Sequence, residues 1–223
     1  MAPASDSDIT IAGSQGGATP RLCIAGVASG VGKTTVTVAL AAALRAEGLT
    51  VSCFKCGPDY LDPTYHARVT GAPSHNLDGW MMGREAVVAT FARAAAGSDV
   101  VLIEGVMGLY DGAAADAEDG SAAQIAKWLA APVVAVVDAG GMARTIAAVG
   151  LGLREFDRDV DLAGLFANRL GSRGHLELLK SACAKTVPVL GGLPREETRS
   201  FPERHLGLRT ADADVVPDAL VRA

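Results

Sequence analysis

Ten residues near the start of the chain, Gly26-Val27-Ala28-Ser29-Gly30-Val31-Gly32-Lys33-Thr34-Thr35, restrict its fold more than any other stretch. An apolar run, Arg21 to Ala25, precedes them, and a helical pattern of Ala, Val and Leu follows from Lys33 to Glu47. Strand, glycine-rich turn and helix in that order are the setting of a P-loop. The glycines let backbone amides turn toward phosphates, and the helix N-terminus adds partial positive charge. Lys33 is expected to reach the β- and γ-phosphates of ATP or GTP, and the Thr34 hydroxyl to bind Mg²⁺. Gly30, Val31, Gly32, Lys33, Thr34 and Thr35 are therefore the candidate nucleotide contacts.

Six short apolar runs alternate with helical patterns, the rhythm of an α/β domain with a mostly parallel sheet and helices on both faces. The expected strands are Arg21–Ala25, Val51–Lys55, Val100–Glu104, Pro132–Asp138, Leu162–Ala167 and Val187–Leu190. An alanine-rich helix is expected over Glu85–Ala96. Ligands of such sheets bind beyond the carboxyl ends of the strands. Polar residues and glycines gather at those ends here, whereas the opposite connections, Leu49-Thr50 and Ala130-Ala131, are bland. Gly57 to Arg84 breaks the rhythm; with Pro58, Pro63 and Pro73 it reads as a long binding loop, with room for short helices.

Phosphoryl transfer places acidic groups near the metal. Glu104 ends the apolar run Val100-Val101-Leu102-Ile103, where a metal ligand or water-orienting carboxylate belongs; capping the next helix is the competing account. Asp59 lies just past the second strand and is a candidate third metal ligand with Thr34 and Glu104, or else a turn former with Pro58. Lys55 is a candidate for stabilising the transferring phosphoryl group. Asp111 either orients substrate or holds its turn with Gly112. Arg144 meets substrate carboxylates or phosphate, or caps its helix. Asp138, His66 and His205 are lesser candidates, and Asn168, Arg169 and Pro194 stand where an amide and a proline could frame an adenine ring. Asp116, Glu118 and Asp119 read as a mobile solvated loop.

Bulk properties narrow the partners. The 223 residues suit one large domain, and a net charge of -5 gives no support for nucleic acid. No apolar run approaches the length of a membrane span, so no membrane partner is expected, and the cysteine usage makes a reducing cytoplasm the expected location. The four cysteines are too few for a disulfide scaffold. Cys53-x-x-Cys56 reads as strand packing, because a redox pair has its thiolate at a helix start. Residues 1–20 read as a disordered tail, 21–209 as the working domain, and 210–223 as a linker or cut boundary.

The loop carries one residue more between Gly26 and Gly32 than the common P-loop pattern. It is similar to the variant loop of septum-site and plasmid-partition ATPases and related ligases. Ala28 stands where those ATPases carry a second lysine, which argues against their dimer-bridging mechanism. Further segments are Phe54-Lys55-Cys56-Gly57-Pro58-Asp59-Tyr60-Leu61-Asp62-Pro63, Asn76-Leu77-Asp78, Glu104-Gly105-Val106-Met107-Gly108-Leu109-Tyr110-Asp111-Gly112, Gly141-Met142-Ala143-Arg144 and Arg204-His205-Leu206-Gly207-Leu208. Together they resemble the cobyrinic or hydrogenobyrinic acid a,c-diamide synthases.

That resemblance implies a P-loop fold of the dethiobiotin-synthetase type. It also implies ATP- and Mg²⁺-dependent amidation of the a and c acetates of a corrinoid through acyl phosphates. It gives Thr34, Asp59 and Glu104 to the metal, Lys33 and Lys55 to the phosphates, and Asn168, Arg169 and Pro194 to the base. Tyr60, Leu61 and Asp111 go to the acetate and its activation. Members carry a C-terminal glutaminase, yet none of the four cysteines sits on a glycine-flanked elbow. The chain is thus expected to be the synthetase part alone, partnered by a glutaminase domain at full length, with a homodimer left open. The alanine-rich, lysine-poor composition tilts the macrocycle toward the metal-free acid. A dethiobiotin synthetase-like ligase and a partition-type ATPase switch are the alternatives.

Overall fold

The computed structural model describes residues 19–195. The expected tail over 1–20, the Arg204–Leu208 segment with His205, and the 210–223 boundary lie wholly or mostly outside them. Seven strands and six helices follow in the order β1 (Arg21–Gly26), α1 (Lys33–Ala46), β2 (Val51–Cys56), α2 (Asp62–Thr70), β3 (His75–Leu77), α3 (Gly79–Ala94), β4 (Val100–Glu104), α4 (Ala122–Trp128), β5 (Val133–Asp138), α5 (Thr145–Phe156), β6 (Leu162–Leu170), α6 (Arg173–Cys183) and β7 (Val189–Pro194). All pairings are parallel, in the order β3-β2-β4-β1-β5-β6-β7. The α/β class expected from the apolar rhythm is what the chain adopts, a P-loop NTPase-like sheet covered on both faces.

Crossover handedness decides which helix covers which face. Connections between parallel strands are almost always right-handed, so steps in opposite directions across the sheet place their helices on opposite faces. The chain steps one way from β1 to β2 to β3, and α1 and α2 fall together. Val36, Val38, Ala41, Tyr65 and Val69 of those helices pack on Ile24, Val51, Cys53, Leu102 and Val136. Later steps run the other way, and Val87, Phe91, Ile125 and Ile146 cover Cys23, Phe54, Ile103, Ala135 and Val137 on the opposite face. Successive residues of each strand serve alternate faces. That is why Cys53 and Phe54, or Leu102 and Ile103, belong to different clusters.

The segment expected as a long binding loop is mostly regular structure. Pro63 lies in the first turn of α2, where a missing amide costs nothing, so the prolines that suggested a loop do not prevent the helix. β3 then pairs with β2 at the sheet edge. The alanine-rich helix begins earlier than expected, at Gly79, capped by Asp78 through the amides of Trp80 and Met81. It breaks at Gly83, whose φ of 72° and ψ of 166° only glycine adopts readily. Two strands also differ from the apolar reading: β6 runs on to Leu170 and β7 spans Val189–Pro194. Backbone pairing across β6 and β7, with shifts in register, carries them past the apolar residues.

Candidate functional site

The turn after β1 wraps the start of α1. Gly32 is the residue before the helix, at φ 97°, and a Cβ there would collide with Asn168 Nδ2. That amide donates to the Val31 carbonyl at 2.9 Å, so β6, two strands from β1 in the sheet, grips the turn. Arg169 donates to the Gly30 carbonyl and pairs with Asp138. Asn168 and Arg169, expected at a nucleotide base, therefore contact the glycine turn itself.

No side chain caps α1, whose first residue is Lys33, and no acidic residue occupies its first turn, so no capping side chain competes for its opening amides. Lys33 Nζ donates to the carbonyls of Ala28 at 3.0 Å and Met107 at 2.5 Å. Met107 holds a left-handed backbone at φ 47°, an uncommon state for a residue with a side chain. Uncapped amides, a dipole end and an ammonium at one helix start have the donor chemistry a polyphosphate requires.

Beneath α1 and α2 lies a buried ionic cluster. Lys55, one residue before the end of β2, is the direct register partner of Glu104, the last residue of β4. Both share the parity of Cys53 and Leu102, so both side chains point to the face that α1 and α2 cover. Lys55 is 2% exposed and Glu104 fully buried. Lys55 Nζ meets Asp62 Oδ2 at 2.6 Å, Glu104 Oε1 at 3.0 Å and the Gly105 carbonyl at 3.0 Å. An ammonium has three N–H groups, and these contacts use all three. Expected as a phosphate contact, Lys55 is here the counter-ion of two carboxylates.

Glu104 is held from three elements. Thr34 Oγ1, in the first turn of α1, donates to Oε1 at 2.7 Å. Lys55 of β2 meets the same oxygen, and His66 Nε2 of α2 lies 2.7 Å from Oε2. Burial alone would raise the carboxyl pKa, but Lys55 with the His66 and Thr34 hydrogen bonds holds it far below the ordinary value of 4.5. Burial would likewise lower Lys55, yet Glu104 and Asp62 keep its pKa above 10.5. Asp62 moves up, first by burial and then by the Glu104 charge. No buried side-chain nitrogen or oxygen among the described residues lacks a partner.

Asp59 Oδ1 accepts the amides of Leu61 and Asp62, at 2.9 and 3.1 Å, and so shapes the entry to α2. Asn76 of β3 ties that turn down through the Gly57 and Asp59 carbonyls. Asp111 Oδ2 accepts the Gly108 amide at 2.8 Å, within the loop that follows β4. Tyr60 projects into solvent with 79% of its surface exposed. Arg144 precedes α5 without capping it through its side chain, and Pro194 ends β7, exposed. Glu118 and Asp119, expected in a free loop, are tied to α4 through Lys127 and Gln124.

Sequence reasoning missed Asp62 and gave His66 little weight. The signal was their spacing: four residues apart, they share one face of a helix, but only once the segment is read as helical. Thr34 and Glu104 could hold Mg²⁺, because that ion typically takes one or two protein oxygens and completes its shell with phosphates and water. Among the described residues no group of three His, Cys, Asp or Glu is arranged to hold a metal alone, and no helix is long and apolar enough to cross a membrane.

The chain is 55% identical over 199 residues to a cobyrinate a,c-diamide synthase of Leptospira interrogans, covering 89% of this chain and 44% of that protein. It is 50% identical over 194 residues to a hydrogenobyrinate a,c-diamide synthase of Streptomyces coelicolor, covering 86% and 40%. The chain thus spans less than half the length of these curated relatives. Among solved structures, the chloroplast FtsY of Physcomitrella patens matches 95% of this chain and 68% of its own, with a TM-score of 0.57 and 22% identity, a likeness of fold alone. Residues 22–208 match the CbiA family, and the chain belongs to it as a CobQ/CobB/MinD/ParA nucleotide binding domain.

Proposed function

We propose that this domain uses ATP and Mg²⁺ to activate the a and c acetate carboxylates of cobyrinic or hydrogenobyrinic acid, so that ammonia converts each to an amide. The observation that carries the proposal is Thr34 Oγ1 set 2.7 Å from the buried, ionised Glu104 at the start of α1. That pairing joins a phosphate-binding helix end to a metal-binding carboxylate. The identity of the substrate rests on the relatives named as a,c-diamide synthases.

In the proposed reaction a substrate carboxylate oxygen attacks the γ-phosphorus of ATP, and ADP leaves with the bridging oxygen. The product is an acyl phosphate. Ammonia then attacks its carbonyl carbon, inorganic phosphate departs, and a proton is lost from nitrogen to give the amide. Lys33 turns from the Ala28 and Met107 carbonyls to the phosphate oxygens and offsets their charge as the bond to phosphorus breaks. Thr34 and Glu104 would hold the metal, with Asp59 completing its shell. Mg²⁺ held there would offset negative charge on the phosphate oxygens. Lys55, His66 and Thr34 keep Glu104 ionised and in place. Asn168, Arg169 and Pro194 are assigned to the base.

A wide apolar substrate has a landing place on the same sheet edge. Tyr60 follows β2, Trp80 and Met81 follow β3, and Met107 follows β4, all exposed large apolar side chains. Tyr60, Leu61 and Asp111 are assigned to the acetate, and Arg144 to a further carboxylate. The ammonia would come from a glutaminase domain in the longer protein.

The test is mass spectrometry of each macrocycle after incubation with ATP, Mg²⁺ and an ammonium salt, or with glutamine and the full-length protein. Two amidations dependent on ATP are expected. Failure of the full-length protein to amidate either macrocycle overturns the proposal, and ATP turnover without any acid substrate would favour a partition-type switch.

A further inference from the structure

A carboxylate on the last residue of a strand can rotate about its terminal bond, and holding one oxygen does not fix its plane. In Glu104, Oε1 takes both Thr34 and Lys55. Its other oxygen, Oε2, meets His66 Nε2 at 2.7 Å. The tautomer follows from chemistry. An ionised carboxylate only accepts, so Nε2 carries the hydrogen. Nδ1 lies 3.1 Å from Ser74 Oγ, which then serves as the donor if the ring is neutral. The ring is fully buried, on the α2 face that also carries Asp62 one turn earlier. One helical face thus reaches both members of the Lys55–Glu104 pair.

We infer that His66 is a positioning residue, which locks the plane of the Glu104 carboxylate and so presents it to the Mg²⁺ of a bound nucleotide. The inference rests on the reading of Thr34 and Glu104 as the metal-binding pair. It also gives α2 a task beyond packing: it couples the segment carrying Asp59, Tyr60 and Leu61 to the metal side of the nucleotide. Partners that orient a ligand in this way act on affinity for the metal, more than on the site's other contacts.

The experiment is equilibrium titration of a fluorescent ATP analogue onto the 223-residue chain, in EDTA and across a Mg²⁺ series. It compares wild type with His66→Leu, His66→Gln and Ser74→Ala, and each variant's melting temperature is recorded. For His66→Leu, affinity in EDTA should stay within about twofold of wild type, while the Mg²⁺ midpoint rises about 10–100-fold. His66→Gln, whose amide can donate to Oε2, should restore most of the Mg²⁺ response. Ser74→Ala should raise the midpoint by a smaller factor.

An unchanged Mg²⁺ midpoint in His66→Leu overturns the inference, as does equal weakening with and without Mg²⁺, the mark of a purely structural role. If His66→Leu does not fold, an unchanged midpoint in Ser74→Ala overturns it. Wild type that binds the analogue no better with Mg²⁺ than in EDTA refutes the metal-site reading itself, a separate and recognisable result.

Discussion

Replacing Lys55 with Met keeps most of the side-chain volume and removes the one cation between Asp62 and Glu104. Both carboxylates lie within hydrogen-bond distance of Nζ, at 2.6 and 3.0 Å. At those separations each attraction is about 5–6 kcal/mol for an effective dielectric near 20, much of it offset by the cost of burying the ammonium. The net loss on breaking a buried pair from one side is typically about 3–5 kcal/mol, since the remaining charge has no partner. For a domain of this size that corresponds to a fall in melting temperature of roughly 6–20 °C. The sign of the pH dependence is also fixed. Asp62 already binds its proton more tightly than usual, through burial and the Glu104 charge, and loss of Lys55 pushes it further up. A raised carboxyl pKa means stability regained as pH falls and lost as pH rises through the folded-state value. Urea unfolding followed by circular dichroism between pH 5 and 8 should therefore show Lys55→Met weakest at pH 8 and closest to wild type at pH 5. A variant within about 1 kcal/mol of wild type, or a gap that does not move with pH, would refute the counter-ion role.

Three further outcomes are expected. Glu104 has a depressed pKa, so its contribution is present above the ordinary value of 4.5 and fades as pH falls below it; Glu104→Gln should show a shallower loss of stability in acid urea titrations than wild type. Gly32→Ala would need a left-handed alanine and a displaced Asn168, a cost of roughly 2–4 kcal/mol, and the analogue-binding assay should show nucleotide affinity lost with it; pairing it with Asn168→Ala should recover part of the stability. All four cysteines are buried, and burial raises the thiols of Cys53 and Cys56 to about 12; a thiol-reactive disulfide reagent at pH 8 should find almost none in the native chain and all four in urea, and rapid native labelling would show that β2 opens.

The residues legible from sequence were those whose meaning is local. Gly30 to Thr35 announces its turn and helix by composition, and Glu104 announces itself as a charge closing an apolar strand. Lys55 was found the same way, but its partner was not: that Lys55 stands opposite Glu104 is a fact of register between strands 49 residues apart. Asp62 and His66 were hidden by neighbouring prolines, which argue for a loop unless Pro63 is placed in a first helical turn. Asn168 and Arg169 were visible as polar residues near a strand end. Which object they touch depended on β6 lying beside β5 and beneath the glycine turn, and nothing within their own segment records that.

The handedness of the crossovers explains how so polar a cluster can lie inside an apolar sheet. Because β1, β2 and β3 are laid down in one direction, α1 and α2 must share a face. Strand alternation then assigns Lys55 and Glu104 to that face and Phe54 and Ile103 to the other. A slip of one residue in either strand would turn a charge toward α3 and α4, where Phe91 and Ile125 offer no partner. The cost of such an orphaned charge makes the correct register self-selecting. The same ion pair that steadies the site thus also fixes the alignment of the two strands that build it.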